Sequence, residues 1–343
     1  MSLALLVGAG LACSRSDAPP PRTPATRTEA TVIGAPLAAL LPGGARAVVI
    51  ARPDELAPEP SVREWLDIVF TEETLERLEV RTGIRPAELT ELVRADFGDD
   101  RWVWLLRSPG NTESLVRAAA MRMSVVEQRS EDPMRRTGFV GTRLRTWVAL
   151  SSDCLLVAAG HLEAEVAAIL QAARLHRVSA GSRSGDPEDA PWVVDALPAP
   201  QTGGYFLAST LGLWNELRAA PFVLLAPEPL GVPVDTGVGM LLARQQQLGA
   251  TATPAGDALR LRVVLSGEFP PGAEDNFRTL MTSVAHSDLG RATGAEEALE
   301  SFELEVSEGR VVASATWPAA GWARGVRLLG GEDPWVWVDA PPE

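Results

Sequence analysis

VALSSDCLLV, at residues 148–157, places the polar triplet Ser151–Asp153 between two short apolar runs. A similar stretch, LEVSEGRVVA, occupies residues 304–313, with Ser307–Gly309 at the corresponding place. Short apolar runs on either side of turn-forming residues are typical of a β-hairpin, whose two strands pair antiparallel. We therefore predict one such hairpin in each half of the chain, and we do not expect a strictly parallel sheet.

The stretches around these hairpins also recur. RWVWLLRS at residues 101–108 resembles LRLRVVLS at residues 259–266, about 157 residues later, which is close to the spacing of the two hairpins. Two other similar pairs occur in the same order in each half of the chain. They are the apolar runs 48–51 and 205–208, and the tryptophans Trp192 and Trp335. Self-similarity at a nearly fixed spacing indicates an internal duplication, and two unrelated domains are the alternative.

The duplication predicts which strands are equivalent. We expect strands at 48–51, 101–107 and 154–159 to match those at 205–208, 259–265 and 310–315, and Trp192 and Trp335 to begin a closing strand. Between the strands, apolar residues recur at helical spacing, for example at Val166, Ile169 and Leu170. We therefore predict an α+β protein of two tandem similar units, residues 36–200 and 201–343. Each unit is expected to be a mainly antiparallel sheet with helices packed on one face.

The N-terminus, MSLALLVGAGLAC, is an uncharged apolar run that ends at Cys13. It is too short to cross a bilayer, which takes about twenty apolar residues. This stretch resembles the start of a bacterial lipoprotein precursor, whose cysteine becomes the lipid-carrying first residue of the mature protein. The resemblance implies a signal peptide over residues 1–12 and acyl chains, palmitate among them, on Cys13. Because Ser14 stands where an aspartate would favour inner-membrane retention, the resemblance further implies the outer membrane, facing the periplasm.

Residues 13–35 are predicted to be the lipidated cysteine and a flexible tether. The stretch SRSDAPPPRTPATRTEAT, which follows Cys13, is rich in Ser, Thr, Pro and Ala and poor in large apolar side chains. Such a composition does not bury enough surface to fold by itself. An apolar run, a cysteine, a tether and then globular sequence is the order that a lipid-anchored protein requires.

Composition excludes several classes of function. The net charge of −14 argues against binding to nucleic acid, and the chain contains no lysine for a Schiff base or a P-loop. Cys154, the second of the two cysteines, lies in an apolar run and is predicted to be a buried small hydrophobe. His161, His176 and His286 fall at predicted helix ends, where capping explains them better than metal binding. We expect no metal, no cofactor and no disulfide.

Two groups of residues remain as candidate sites. Arg135, Arg136, Arg143 and Arg145 form a local basic cluster that could contact an anion or a partner, although a solvated hairpin would also explain it. Trp102 and Trp104, like Trp335 and Trp337, are two apart and would share one face of a strand. If exposed, such indoles would stack on sugar rings; if buried, they fill the space between sheet and helices.

These features favour a lipid-anchored cell-envelope binding or structural module of unknown ligand. The predicted partners are the membrane, through the lipid on Cys13, and another envelope protein or cell-wall glycan. The alternative is an envelope hydrolase that acts on glycan or peptide, for which the sequence offers no catalytic residue.

Overall fold

The computed structural model describes residues 31–63, 76, 79, 88–108, 112–121, 124–127, 135–140, 143–179, 204–227, 244–321 and 323–324. The strands in these residues are β1 (Thr31–Ile33), β2 (Ala47–Ala51), β3 (Glu91–Gly98), β4 (Arg101–Arg107), β5 (Ser124–Glu127), β6 (Arg135–Val140), β7 (Arg143–Ala149), β8 (Cys154–Ala159), β9 (Arg177–Ser179), β10 (Phe222–Ala226), β11 (Gln245–Ala255), β12 (Ala258–Gly267), β13 (Glu303–Ser307) and β14 (Arg310–Pro318). The helices are α1 (Pro53–Leu56), α2 (Thr112–Ala120), α3 (Glu163–Leu175), α4 (Phe206–Leu217), α5 (Ala273–Ala285), α6 (Asp288–Thr293) and α7 (Ala295–Ala298), with 3-10 helices η1 (Leu37–Leu40) and η2 (Leu299–Ser301).

Twelve of the strands form a single sheet, in the order β13-β14-β12-β11-β10-β2-β3-β4-β8-β7-β6-β5. All neighbouring strands in this sheet pair antiparallel, while β1 and β9 form a separate two-stranded ribbon. The predicted α+β class with a mainly antiparallel sheet is confirmed. The two halves join edge to edge through β2 and β10.

The strand order repeats on the two sides of the β2–β10 pair. Outward from this pair the sheet runs β2-β3-β4-β8-β7 in one direction and β10-β11-β12-β14-β13 in the other. The predicted hairpins are present as β7–β8 and β13–β14, and they occupy the same place in both series. Two-residue turns also connect β3 to β4 and β11 to β12; they are Asp99–Asp100, with φ of 54° and 57°, and Gly256–Asp257, with φ of 67° at the glycine. Such turns with positive φ match the twist of paired strands.

One predicted strand is wrong. Residues 205–208 enter helix α4, and the strand that corresponds to β2 in the repeated order is β10. A short apolar run does not distinguish a buried strand from the start of a buried helix. The burial of Phe206, Leu213 and Leu217 continues at helical spacing well past this run, so the helix is the conformation that buries them together.

Helices pack on both faces of the sheet, and not mainly on one as expected. The first face carries η1, α3 and α4, whose apolar side chains share a core with Val103 and Leu105. The second face carries α2, which contributes Val116 to a cluster with Leu106, and α5, which contributes Phe277 to a cluster with Val311. All six residues of β8 are buried because neighbouring side chains on a strand point to opposite faces and both faces are covered there.

Several predictions fall outside the described residues, namely the signal peptide, Cys13, Trp192, Trp335, Trp337 and the boundary between residues 200 and 201. The predicted tether ends too late, because Thr31–Ile33 already pair with β9 and Ala35 is buried.

Among the residues that the structure describes, no helix has the length and apolar character to cross a membrane. The same residues contain no group of three or more His, Cys, Asp and Glu side chains arranged to hold a metal ion.

Candidate functional site

The predicted arginine cluster and one predicted tryptophan pair meet on the second face of the sheet. The antiparallel register places Trp102 on β4 and Arg145 on β7 in one row, on either side of Ala159 on β8. Residues directly opposite each other on paired strands share a face. The guanidinium carbon of Arg145 lies 4.9 Å from the centroid of the Trp102 ring, within the range of a cation–π contact.

The next row of the same face has a similar composition. It crosses five strands in the order Arg94, Trp104, Val157, Trp147 and Arg136. The guanidinium carbon of Arg94 lies 5.8 Å from the centroid of the Trp104 ring. We call the surface formed by Trp102, Trp104, Arg136, Arg143, Arg145 and Trp147 the Arg–Trp face.

The structure also separates residues that the sequence grouped together. Arg135 lies opposite Val148, which belongs to the core of the first face, so this arginine points away from the other three. Trp102 is 7% exposed and packs with Val116 of α2, as a core residue does. Its ring meets the Trp104 ring edge to face, with the centroids 6.3 Å apart. These two indoles therefore do not form an open platform for a sugar ring.

Arg145 is a buried cation on the Arg–Trp face. Its residue exposure is 5%, and its Nη1 donates a hydrogen bond to the Leu144 carbonyl at 3.2 Å. Burial and, to a smaller extent, the neighbouring charge of Arg143 lower the pKa of Arg145 to about 10. The guanidinium remains charged at neutral pH, and within the described residues no carboxylate pairs with it. Burial of a charge without a counter-charge is unfavourable, which makes Arg145 a candidate functional residue.

A second buried arginine, Arg107 at the end of β4, has the opposite character. Its Nε and Nη2 contact Glu91 Oε2 at 3.2 Å, and its Nη1 contacts Asp153 Oδ2 at 3.2 Å. The same guanidinium donates to the carbonyls of Ile33 and Ala35 at 2.7 and 2.6 Å. Its five N–H groups are thus matched by five contacts. We call this group of residues the Arg107 junction.

The Arg107 junction fixes the first described residues of the chain to the sheet. Glu91 Oε1 accepts from the Leu37 N–H at 2.7 Å, and Asp153 Oδ1 accepts from the Ile33 N–H at 3.2 Å. The Ser152 N–H adds a bond to the Thr31 carbonyl at 3.0 Å. Both carboxylates therefore bridge the arginine to the backbone of the segment that follows the predicted tether.

The pKa shifts at the junction follow from burial and charge. Burial raises the pKa of the Glu91 carboxyl above its ordinary value, and Arg107 offsets part of this rise. For Arg107, burial acts to lower the pKa, but the charge of Glu91, with a smaller contribution from Asp153, raises it above its usual value. This site was not predicted from the sequence, although one signal was present, since RWVWLLR ends an apolar strand on a charged residue.

The remaining candidate residues do not form a site. The His161 side chain is 84% exposed, and His286 Nδ1 contacts the Thr282 carbonyl at 2.8 Å on its own helix. Cys154 is fully buried, and burial raises the pKa of its thiol above the usual value, which makes it a poor nucleophile. Its predicted role as a small buried hydrophobe is consistent with these observations.

Comparison with known proteins reveals no relative in sequence. No protein-family model matches the chain, and no curated protein matches it. Three solved structures, which are crystal forms III, I and IV of TP0453, share a similar arrangement. Sequence identity is 9%, 10% and 8%, with TM-scores of 0.47, 0.42 and 0.46. The alignments cover 85%, 86% and 84% of this chain and 97%, 97% and 94% of the others. At these identities and scores the similarity carries no functional argument.

Proposed function

We propose that this protein is a lipid-anchored binding module of the cell envelope. In this proposal residues 1–12 are a signal peptide, Cys13 carries acyl chains including palmitate, and the residues up to Ala30 are a flexible tether. The module faces the periplasm from the outer membrane, and its two similar halves arose by internal duplication. Its partners are the membrane, through the lipid, and another envelope protein or cell-wall glycan.

The observation that carries this proposal is the Arg107 junction. A flexible tether holds a folded body at a defined point only if the chain beyond the tether enters a stable part of the fold. Here the chain enters the core within a few residues of Thr31, because Ile33 and Leu37 are buried and hydrogen-bonded to the two junction carboxylates. The junction therefore fits the attachment point of a body held by its N-terminus.

The alternative of an envelope hydrolase has weaker support. Ser151 Oγ donates to Asp153 Oδ1 at 2.6 Å, but this carboxylate is already bound to Arg107 and to a backbone N–H. A serine nucleophile needs a base that removes its proton, usually a histidine. In the described part of the chain, no histidine hydrogen-bonds to Ser151.

Metabolic labelling with a palmitate analogue tests the proposal directly. The wild-type protein should incorporate the label and partition into the detergent phase, whereas Cys13→Ala should lose the label because the acylated atom is absent. Cys154→Ala is the matched control, since that thiol is fully buried and should not affect labelling. An unlabelled wild-type protein, or equal labelling of the Cys13→Ala variant, would show that the protein is not lipid-anchored.

A further inference from the structure

We propose that the Arg–Trp face contains an oxyanion-binding site, in which Arg145 and Arg143 hold a phosphate or carboxylate group of the ligand. This inference rests on the proposed function as a binding module and adds the chemical class of what is bound. In the proposed function the Arg107 junction holds the N-terminal segment to the sheet, and the Arg–Trp face on the second side of the sheet has no assigned role.

The two most deeply buried arginines in the described part of the chain provide an internal comparison. Both are about 95% buried, with exposed fractions of 4% for Arg107 and 5% for Arg145. Arg107 is held by two carboxylates and two carbonyls, as a structural buried cation is expected to be. Arg145 donates to one backbone carbonyl and otherwise contacts the Trp102 ring and faces the positive charge of Arg143. Of these two arginines, Arg145 is therefore the one whose charge an external anion would neutralise.

The surroundings of Arg145 favour an anion over a second protein side chain. Gly138 of β6 stands directly opposite Arg145, so only backbone occupies that position in the row. Arg136 is two residues from this glycine and lies on the same face, as Arg143 does on the neighbouring strand. Three arginines thus lie on one face around a position without a side chain, in a chain whose net charge is −14, although the Arg136 Nη1 donates to the Arg135 carbonyl at 2.8 Å. Such a local excess of positive charge attracts an anion despite the overall negative charge.

The geometry of arginine indicates the class of anion. The planar guanidinium presents parallel N–H groups that match the two oxygens of a carboxylate or phosphate. The Trp102 ring lies against the Arg145 guanidinium, so a ligand would reach the guanidinium from a direction that the ring does not occupy. The alternative is that stacking on Trp102 by itself retains Arg145, in which case no added oxyanion should bind there.

Inorganic phosphate is the first probe, used with the full chain in detergent at constant ionic strength. Phosphate should raise the unfolding midpoint of the wild-type protein in a saturable manner, because a ligand that binds only the folded state stabilises it. Arg145→Met should weaken phosphate binding about tenfold or more, the loss expected for a charged hydrogen-bond donor. Arg135→Met is the matched control, since Arg135 lies on the same hairpin but on the other face. The phosphate affinity of this variant should equal that of the wild type. Phosphate also stabilises proteins by exclusion from their surface, an effect that would be equal in all three proteins.

Vesicles then distinguish the source of the oxyanion. Preferential binding of the protein to phosphatidylglycerol over phosphatidylcholine vesicles, lost in Arg145→Met, would assign the site to lipid headgroups. Equal binding to both, together with phosphate binding that depends on Arg145, would assign it to a soluble or polymer-borne oxyanion. If phosphate stabilises the wild type and Arg145→Met equally, the inference is wrong. The palmitate labelling at Cys13 is independent of this result, so failure here would leave the proposed anchoring intact.

Discussion

Replacement of Arg107 by methionine tests how the N-terminal segment is held. Methionine retains an apolar stem of similar length but removes all five N–H donors. The carboxylates of Glu91 and Asp153, whose side chains are 14% and 13% exposed, then lose the ion pair with Arg107, and the carbonyls of Ile33 and Ala35 lose the hydrogen bonds that Arg107 donates. Breaking a buried ion pair on one side costs about 3–5 kcal/mol, because the remaining charge stays buried. We expect the free energy of unfolding to fall by about that amount at neutral pH.

The loss should depend on pH in a defined direction. Burial already raises the pKa of Glu91 above 4.5, and without Arg107 this pKa rises further. A carboxyl whose folded pKa exceeds its unfolded pKa contributes stability that is fully present below the unfolded pKa and is lost as pH rises through the folded pKa. The Arg107→Met variant should therefore recover part of its stability at about pH 5 relative to about pH 7. Adding Glu91→Gln to Arg107→Met should recover part of the lost stability at both pH values, since residue 91 then carries no charge.

Urea unfolding followed by tryptophan fluorescence measures this difference. Arg262→Met is a suitable control, because Arg262 pairs with Glu216 at 2.6 Å but its side chain is 40% exposed, and its loss should cost less than about 1 kcal/mol. Amide hydrogen exchange at Ile33 and Leu37 should accelerate in Arg107→Met, since both N–H groups donate to the affected carboxylates. A loss in the Arg107 variant no larger than in the control, or one that does not change with pH, would refute the reasoning.

Three further results are expected from the packing. A methyl group on Gly267 would clash with the Arg244 carbonyl and lie 2.9 Å from the Gln245 Cα, so Gly267→Ala should destabilise the fold by about 1–3 kcal/mol in urea unfolding. Gly212→Ala, on α4 with open space around it, should instead stabilise by about 0.5–1 kcal/mol, and the opposite order would contradict the packing described. The buried thiol of Cys154 should not react with iodoacetamide in the native lipidated protein and should react fully in urea; rapid native labelling would show that β8 is accessible.

The parts of the fold that depend on neighbouring residues follow from the sequence. Apolar runs around Ser151–Asp153 and Ser307–Gly309 were sufficient to predict the two hairpins, because turn chemistry and alternation act over a few residues. The same local logic predicted β4 and β12 as strands. It failed at residues 205–208, because a run of four apolar residues is compatible both with a buried strand and with the start of a buried helix.

The candidate sites needed the register of the whole sheet. The sequence singled out the arginines and the tryptophans as two separate groups, and only the pairing of β4, β8, β7 and β6 places Arg145 over Trp102 and removes Arg135 to the other face. The partners of Arg107 are even further apart, with Ile33 and Asp153 separated by 120 residues along the chain. Likewise, the β2–β10 pair that joins the halves and the helices that cover both faces arise from long-range packing. Such contacts depend on which buried surfaces fit together in three dimensions, and a pattern that spans a few neighbouring residues does not contain that information.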